Sequence, residues 1–259
     1  MDDRAGEPAT PDSAPPAERL SAGDPAQGPL AAGKVTLVMG GEPVAFELTV
    51  PAGPVAVEEV LPIFQGLSSL FAERAATRAA LEGRTVSCRA GCGACCRQLV
   101  PIAAAEARAL ARVVRSLPEP RQTVVRERFA AAVEAVADAG LFDQLTDLSE
   151  RRFEAGHDYF RLGIACPFLE DEACSIHPDR PLSCREYLVA SPAENCRSPT
   201  AEGIDKLTLE GDPSLAVLKA DLRDGWLPLV HALVFDETAP PSPLDRTGPE
   251  ILADVLGRL

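Results

Sequence analysis

Eight cysteines stand in two interior blocks of this 259-residue chain. The first block reads Cys88-Arg-Ala-Gly-Cys92-Gly-Ala-Cys95-Cys96. The second runs through Cys166-Pro-Phe-Leu, Cys174-Ser-Ile-His177 and Arg180-Pro-Leu-Ser-Cys184-Arg, and closes with Cys196. The chemistry open to sulfur at this density is ligation, because four thiolates can hold Zn²⁺ or an iron–sulfur cluster. A disulfide framework would need an oxidising compartment. No apolar export segment follows Met1-Asp2-Asp3-Arg4, and no uncharged apolar run reaches the roughly 18 residues of a membrane span. The expectation is therefore a cytoplasmic chain whose thiols stay free to bind metal.

Within a block the thiols meet cheaply, since short loops cost little closure entropy. Joining two blocks about seventy residues apart is the harder step, and the intervening helices must do it. Two separate zinc knots would normally use two Cys-x2-Cys pairs, and only Cys92/Cys95 has that spacing. The run Cys88-x3-Cys92-x2-Cys95 also matches the cluster spacing of radical S-adenosylmethionine enzymes. Ala94 stands where those enzymes carry an aromatic residue, and no alternating strand–helix barrel surrounds the run. A single composite centre fits best. Its leading ligands are Cys88, Cys92, Cys95, Cys166, Cys174 and Cys184, followed by Cys96 and Cys196. Neighbours such as Cys95 and Cys96 usually point apart, so they could serve different metals, or one could stand behind the ligands. Arg89, Arg97, Arg180, Arg185 and Arg197 surround the motif, and Arg180 and Arg185 are placed to offset thiolate charge around the centre. His177 lies inside the motif, but eight thiols already complete a site. His157 and His231 fall in helical surroundings.

The elements that must position these groups read as mainly helical. Hydrophobic residues make up 46% of the chain and aromatics only 5%, so the core is built from Ala, Val and Leu. Residues 1–33, rich in Pro, Ala and Gly, read as a disordered tail. Residues 34–51 read as a β-hairpin turning at Gly40-Gly41. A helix is expected over 57–82, with Val60, Phe64, Leu67, Phe71 and Leu81 on its buried face. Further helices are expected over 103–115, 121–139 and 149–161. A short hairpin should pair Cys166 with Cys174, and Leu207 and Leu209 suggest a strand. Helices over 215–222 and 226–235, and one opened by Thr247 and Pro249, complete a C-terminal helical segment, 198–259. The expected fold is one domain over 34–259, mainly α with a small N-terminal hairpin, its helices framing an irregular cysteine-rich metal-binding core at 85–197. A net charge of −14 argues against nucleic acid and anionic membranes as partners; the sequence names no protein partner.

With both blocks in hand, the chain resembles the cysteine-cluster proteins of the YkgJ type, a zinc- or iron-chelating domain. Cys88, Cys92-Gly93-Ala94-Cys95-Cys96, Cys166-Pro167-Phe168-Leu169, Cys174-Ser175-Ile176-His177 and Arg180-Pro181-Leu182-Ser183-Cys184-Arg185 carry the resemblance. In that family the position of His177 is often aromatic. The resemblance implies metal chelation, with an iron–sulfur cluster or iron favoured and Zn²⁺ the alternative, and assigns no catalytic residue. A related motif occurs in flagellin lysine methylases, so an iron–sulfur-dependent oxidoreductase or a methylase-like enzyme is the competing reading. Against a methylase stands the absence of a glycine-rich loop after a strand, since Met39-Gly40-Gly41-Glu42 reads as a hairpin turn.

Overall fold

The computed structural model describes residues 17–146, 152–197, 203–221 and 225–259. Three strands open the chain: β1 (Glu18–Ser21), β2 (Leu30–Met39) and β3 (Glu42–Pro51). β2 and β3 pair antiparallel from Met39↔Glu42 to Leu30↔Pro51. The turn is Gly40-Gly41, whose φ values of +60° and +87° suit glycine. β1 runs parallel to β3 on its other edge, with Glu18 opposite Phe46.

This corrects the expected tail in part. Residues 1–16 lie outside the described residues, whereas 18–21 and 30–33 are strand. The cause is tertiary. β3 offers an unpaired backbone edge, Ala22 N–H donates to Thr49 O at 2.8 Å, and Leu20 lies over Gly66, where an added Cβ would sit 2.5 Å from its Cδ2.

Helix α1 (Leu61–Leu81) follows a short 3-10 turn, with Pro62 in its first turn where no N–H is missed. It buries Ile63, Phe64, Leu67 and Phe71. Leu81, expected on that face, is instead 86% exposed at the last turn. After the first cysteine block come β4 (Pro101–Ala103), α2 (Ala104–Ser116), α3 (Arg121–Asp138), α4 (Phe142–Thr146) and α5 (Arg152–Arg161). The start expected for α5, 149–151, lies outside the described residues. The second block holds β5 (Leu169–Glu170), β6 (Ala173–Cys174) and α6 (Leu182–Glu186). Then follow α7 (Pro213–Ala220), β7 (Trp226–Pro228), α8 (Ala232–Thr238) and α9 (Gly248–Leu256).

The helix expected over 226–235 is corrected at its start. Trp226–Pro228 pairs antiparallel with β4, Ala103 opposite Trp226, because Pro228 cannot sit in a helix interior while β4 offers it a strand partner. The strand expected at Leu207 reduces to one antiparallel bridge, Val189↔Lys206. Thr247 caps α9 by accepting from Glu250 N–H, and Glu250 accepts from Thr247 N–H in return.

Two main cores result. One packs Phe46, Leu48 and Val50 of β3 against Phe64 and Leu67 of α1, Val217 of α7 and Ile251 and Val255 of α9. The other gathers Leu110 and Val114 of α2, Val125 and Phe129 of α3, and Leu233 of α8 around Phe168 and Ile176. Phe168 and Ile176 come from the second cysteine block, so this core anchors it. Among the described residues no helix is long and apolar enough to cross a membrane.

Candidate metal centre

The first block, between α1 and β4, is a chain of tight turns. Cys92 N–H donates to Arg89 O, Cys96 N–H to Gly93 O and Gln98 N–H to Cys95 O, all at 3.0–3.1 Å. Gly91 takes φ +80°, which opens the first turn. Gly93 serves a different end, close approach. A Cβ there would lie 2.5 Å from Leu169 Cδ1 and 2.9 Å from Glu172 O. The second block is likewise local. Its β5–β6 turn places Asp171 and Glu172 at φ 48° and 58°, and Leu169 stands opposite Cys174. A 3-10 turn at His177–Asp179 and Pro181 then lead into α6, which carries Cys184.

The two blocks meet. Cys166 N–H donates to Cys96 O at 2.7 Å, a direct backbone link between them. Ser87 N–H bonds Val189 O at 2.9 Å, Val189 N–H points at Cys88 Sγ at 3.4 Å, and Gln98 Nε2 donates to Cys196 O at 2.9 Å. Glu172 receives Arg97 at 2.6 Å and Arg197 at 2.7 Å. A further joint comes from α2, where buried Glu106 accepts from Ala103 N–H at 3.0 Å and from Leu182 N–H at 2.8 Å. That second bond fixes the start of α6, two residues before Cys184.

All eight cysteines line one cavity of about 580 Å³, together with Arg180, Arg185, His177 and Tyr187. All eight are free thiols. Among the described residues no three Cys, His, Asp or Glu side chains are gathered as a ligand set in the present rotamers.

The surroundings favour the neutral thiol at Cys88, Cys95, Cys166, Cys174, Cys184 and Cys196. Hydrogen bonding to Cys96, then burial, pushes Cys95 far up. Burial, then the nearby Cys174 and Cys95, pushes Cys166 up to about 12. Burial raises Cys184 well above the ordinary thiol value, with Cys166, Cys95 and Cys174 adding to it. Cys88, Cys174 and Cys196 are raised too, in each case chiefly by burial. The contact between Cys95 and Cys96 differs from the expectation that neighbouring side chains point apart. The tight turn Gly93–Cys96 brings their sulfurs together.

Arg180 opposes this trend, acting on Cys88, Cys95 and Cys174. Its Nη1 lies 2.9 Å from His177 Nε2, and its buried Nε has no partner. Arg185 is buried and donates to the carbonyls of Arg180 and Pro178 and to Ser69 Oγ. Neither arginine has a carboxylate partner among the described residues. Arg97, Arg197, Arg121 and Arg128, in contrast, are all paired with Glu172 or Glu170. His177 is exposed at the cavity, and Arg180, then burial, lowers its pKa. A guanidinium can only donate, so Nε2 accepts and the imidazole is neutral with its proton on Nδ1. Arg89 also lines the cavity and is exposed. His231 is buried with its ring tilted against Phe142, and His157 lies on α5; neither lines the cavity.

Several contributors escaped the reading of the sequence. Glu106 looks like an ordinary first-turn helix acid, and nothing local signals its bond to Leu182. Glu186 accepts from Ser68 Oγ at 2.8 Å and Ser214 N–H at 2.9 Å, and burial pushes it up to about 8. Tyr187 lines the cavity and hydrogen-bonds Cys196. The last two directly follow Arg185, so their place beside the motif was the available signal.

No curated protein and no solved structure matches the chain. Residues 87–202 match the CxxCxxCC family model, described as "Putative zinc- or iron-chelating domain". The matched span starts one residue before Cys88 and ends six after Cys196, so it takes in both blocks, the junction between them and every thiol on the cavity wall. Over residues 87–202, which carry every thiol of the cavity, the chain is similar to the CxxCxxCC family, a zinc- or iron-chelating domain by its description.

Proposed function

We propose that the protein binds metal through both cysteine blocks, with iron or an iron–sulfur cluster favoured and Zn²⁺ the alternative. The observation that carries this reading is the convergence of all eight thiols on one cavity, locked by the Cys166–Cys96 backbone bond. The donor set suits the group. Buried thiols that are costly to ionise alone become thiolates readily once a cation shares the site. Cysteine has one side-chain torsion, so the sulfurs can be gathered by rotation with the backbone in place. The ligands are drawn from Cys88, Cys92, Cys95, Cys96, Cys166, Cys174, Cys184 and Cys196. Arg180 and Arg185, without carboxylate partners among the described residues, offset the negative charge that thiolates leave around a cation.

Eight thiols on one cavity are more than one tetrahedral ion takes, which favours a polynuclear centre. Bound iron and sulfide would supply one-electron chemistry, whereas a closed four-thiolate zinc site would supply stability alone. Free thiols in this number fit a reducing compartment, the cytoplasm.

The test is purification without oxygen, followed by elemental analysis and a visible spectrum. Iron with acid-labile sulfide and a brown colour supports the favoured form; colourless protein with stoichiometric zinc supports the structural one. Protein that carries neither metal and takes up neither refutes the proposal.

A further inference from the structure

Six of the eight thiols fall into two packing environments within the cavity. Cys88, Cys92 and Cys95 pack with Cys196 around Ala94 and Val189. Cys166 and Cys174 pack instead on the second core, against Phe168 and Ile176. Cys196 lies near Cys95, Cys88 and Cys92, and Cys184, on α6, lies near Cys166, Cys95 and Cys174, so Cys95 stands between the two groups. Backbone bonds reinforce each group. Val189 N–H reaches Cys88 Sγ and Gln98 reaches Cys196 O on one side. On the other, Cys166 N–H is tied to Cys96 O, and Leu169 stands opposite Cys174. Cys95 is felt by both groups, but its packing is with Cys88, Cys92 and Cys196. Cys96, bonded through its carbonyl to Cys166, is left to complete the other group.

We propose that the cavity holds two metal centres, each with four thiolates. Cys88, Cys92, Cys95 and Cys196 form one, and Cys96, Cys166, Cys174 and Cys184 form the other. The adjacent Cys95 and Cys96 hand the chain from one centre to the next and keep the two close. This partition rests on the metal-binding reading above and deepens it from one composite centre to two. Four thiolates complete a tetrahedral soft-metal site, so eight divide without remainder. Each centre draws on both blocks, which explains why neither block alone shows two Cys-x2-Cys pairs.

Cobalt(II) is the probe, titrated without oxygen into the full apo chain and followed by its thiolate charge-transfer and d–d bands. The expected end point is two equivalents for wild type and one for each of Cys196→Ser and Cys184→Ser, with tetrahedral spectra in all three. Cys92→Ser should repeat the Cys196→Ser result, which guards against one variant that fails to fold. An end point of one equivalent in wild type, with both serine variants losing all binding, overturns the partition and leaves chelation standing. No thiolate–cobalt band in wild type overturns chelation and partition together.

Discussion

Glu106 is a carboxyl with 4% of its surface exposed, and it holds two backbone N–H groups that belong to different elements. Burial pushes it from 4.5 up to about 7, against the opposing pull of those two donors. Below about pH 4.5 the carboxyl is protonated whether the chain is folded or not, so it takes nothing from stability there. As pH rises towards 7 the unfolded chain ionises it and the folded chain does not, so stability falls across that window. At roughly 1.4 kcal/mol per unit the loss is on the order of 3 kcal/mol. Glu106→Gln cannot titrate and gives up an acceptor, so the variant should melt below wild type at pH 5, with the gap narrowing by pH 8. Melting curves at the two pH values check this, and a constant gap would show that burial does not set the ionisation of Glu106. Cys184 sits two residues beyond the N–H that Glu106 holds. Cys184→Ser should lower metal content and melting temperature together, measured on protein purified without oxygen; wild-type values for both would remove it from the ligands.

Between elements, the decisive contact is a missing side chain. Gly93 admits Leu169 and the Glu172 backbone so closely that a methyl group has no room. Gly93→Ala should therefore cost about 1–3 kcal/mol, the usual range for overpacking, and weaken metal retention by prising the β5–β6 turn from the first block. Chemical denaturation with and without metal measures both. The Phe129–Phe168 contact, with ring centroids 5.3 Å apart and planes at 78°, pins the same turn to α3. Truncating Phe129 to Ala should cost about 3–5 kcal/mol in the same assay. Most of these elements could be read from the residues, because hairpin, helix stops and caps are local chemistry: Gly40-Gly41, Pro62 and Thr247 all act where they stand. What could not be read was partnership at a distance. β1 exists because β3 has a free edge, and β7 exists because β4 lies beside it. Leu81 satisfies the helical period yet falls on the last turn, beyond the reach of the core. The cysteine pattern itself was legible, since spacing within a block is a local property. The division of the thiols between two packing environments was not, for it depends on which core each block leans against.

For the molecule as a whole, the two main cores have unequal stakes in the centre. The core of β3, α1, α7 and α9 takes a single buried residue from the cysteine runs, Leu182, whereas Phe168 and Ile176, with Cys166 and Cys174 packed beside them, tie the second core to the cavity wall. Removing metal with a chelator should therefore speed amide exchange in 85–100 and 164–197 well before it affects β2, β3 and α1. Exchange read by mass spectrometry tests this; uniform acceleration would mean that the centre supports the fold as one cooperative unit. The junction of Cys96 with Cys166 also bears on how the protein is made. A ribosome delivers the early thiols first, and they wait while α2, α3 and the later helices are synthesised. Neither of the two proposed centres can close until its later thiols, Cys184 for one and Cys196 for the other, have left the exit tunnel. If the centres form as proposed, loading comes late in synthesis, and the nascent chain passes through an interval in which its sulfurs are open to oxidants and to the wrong metal.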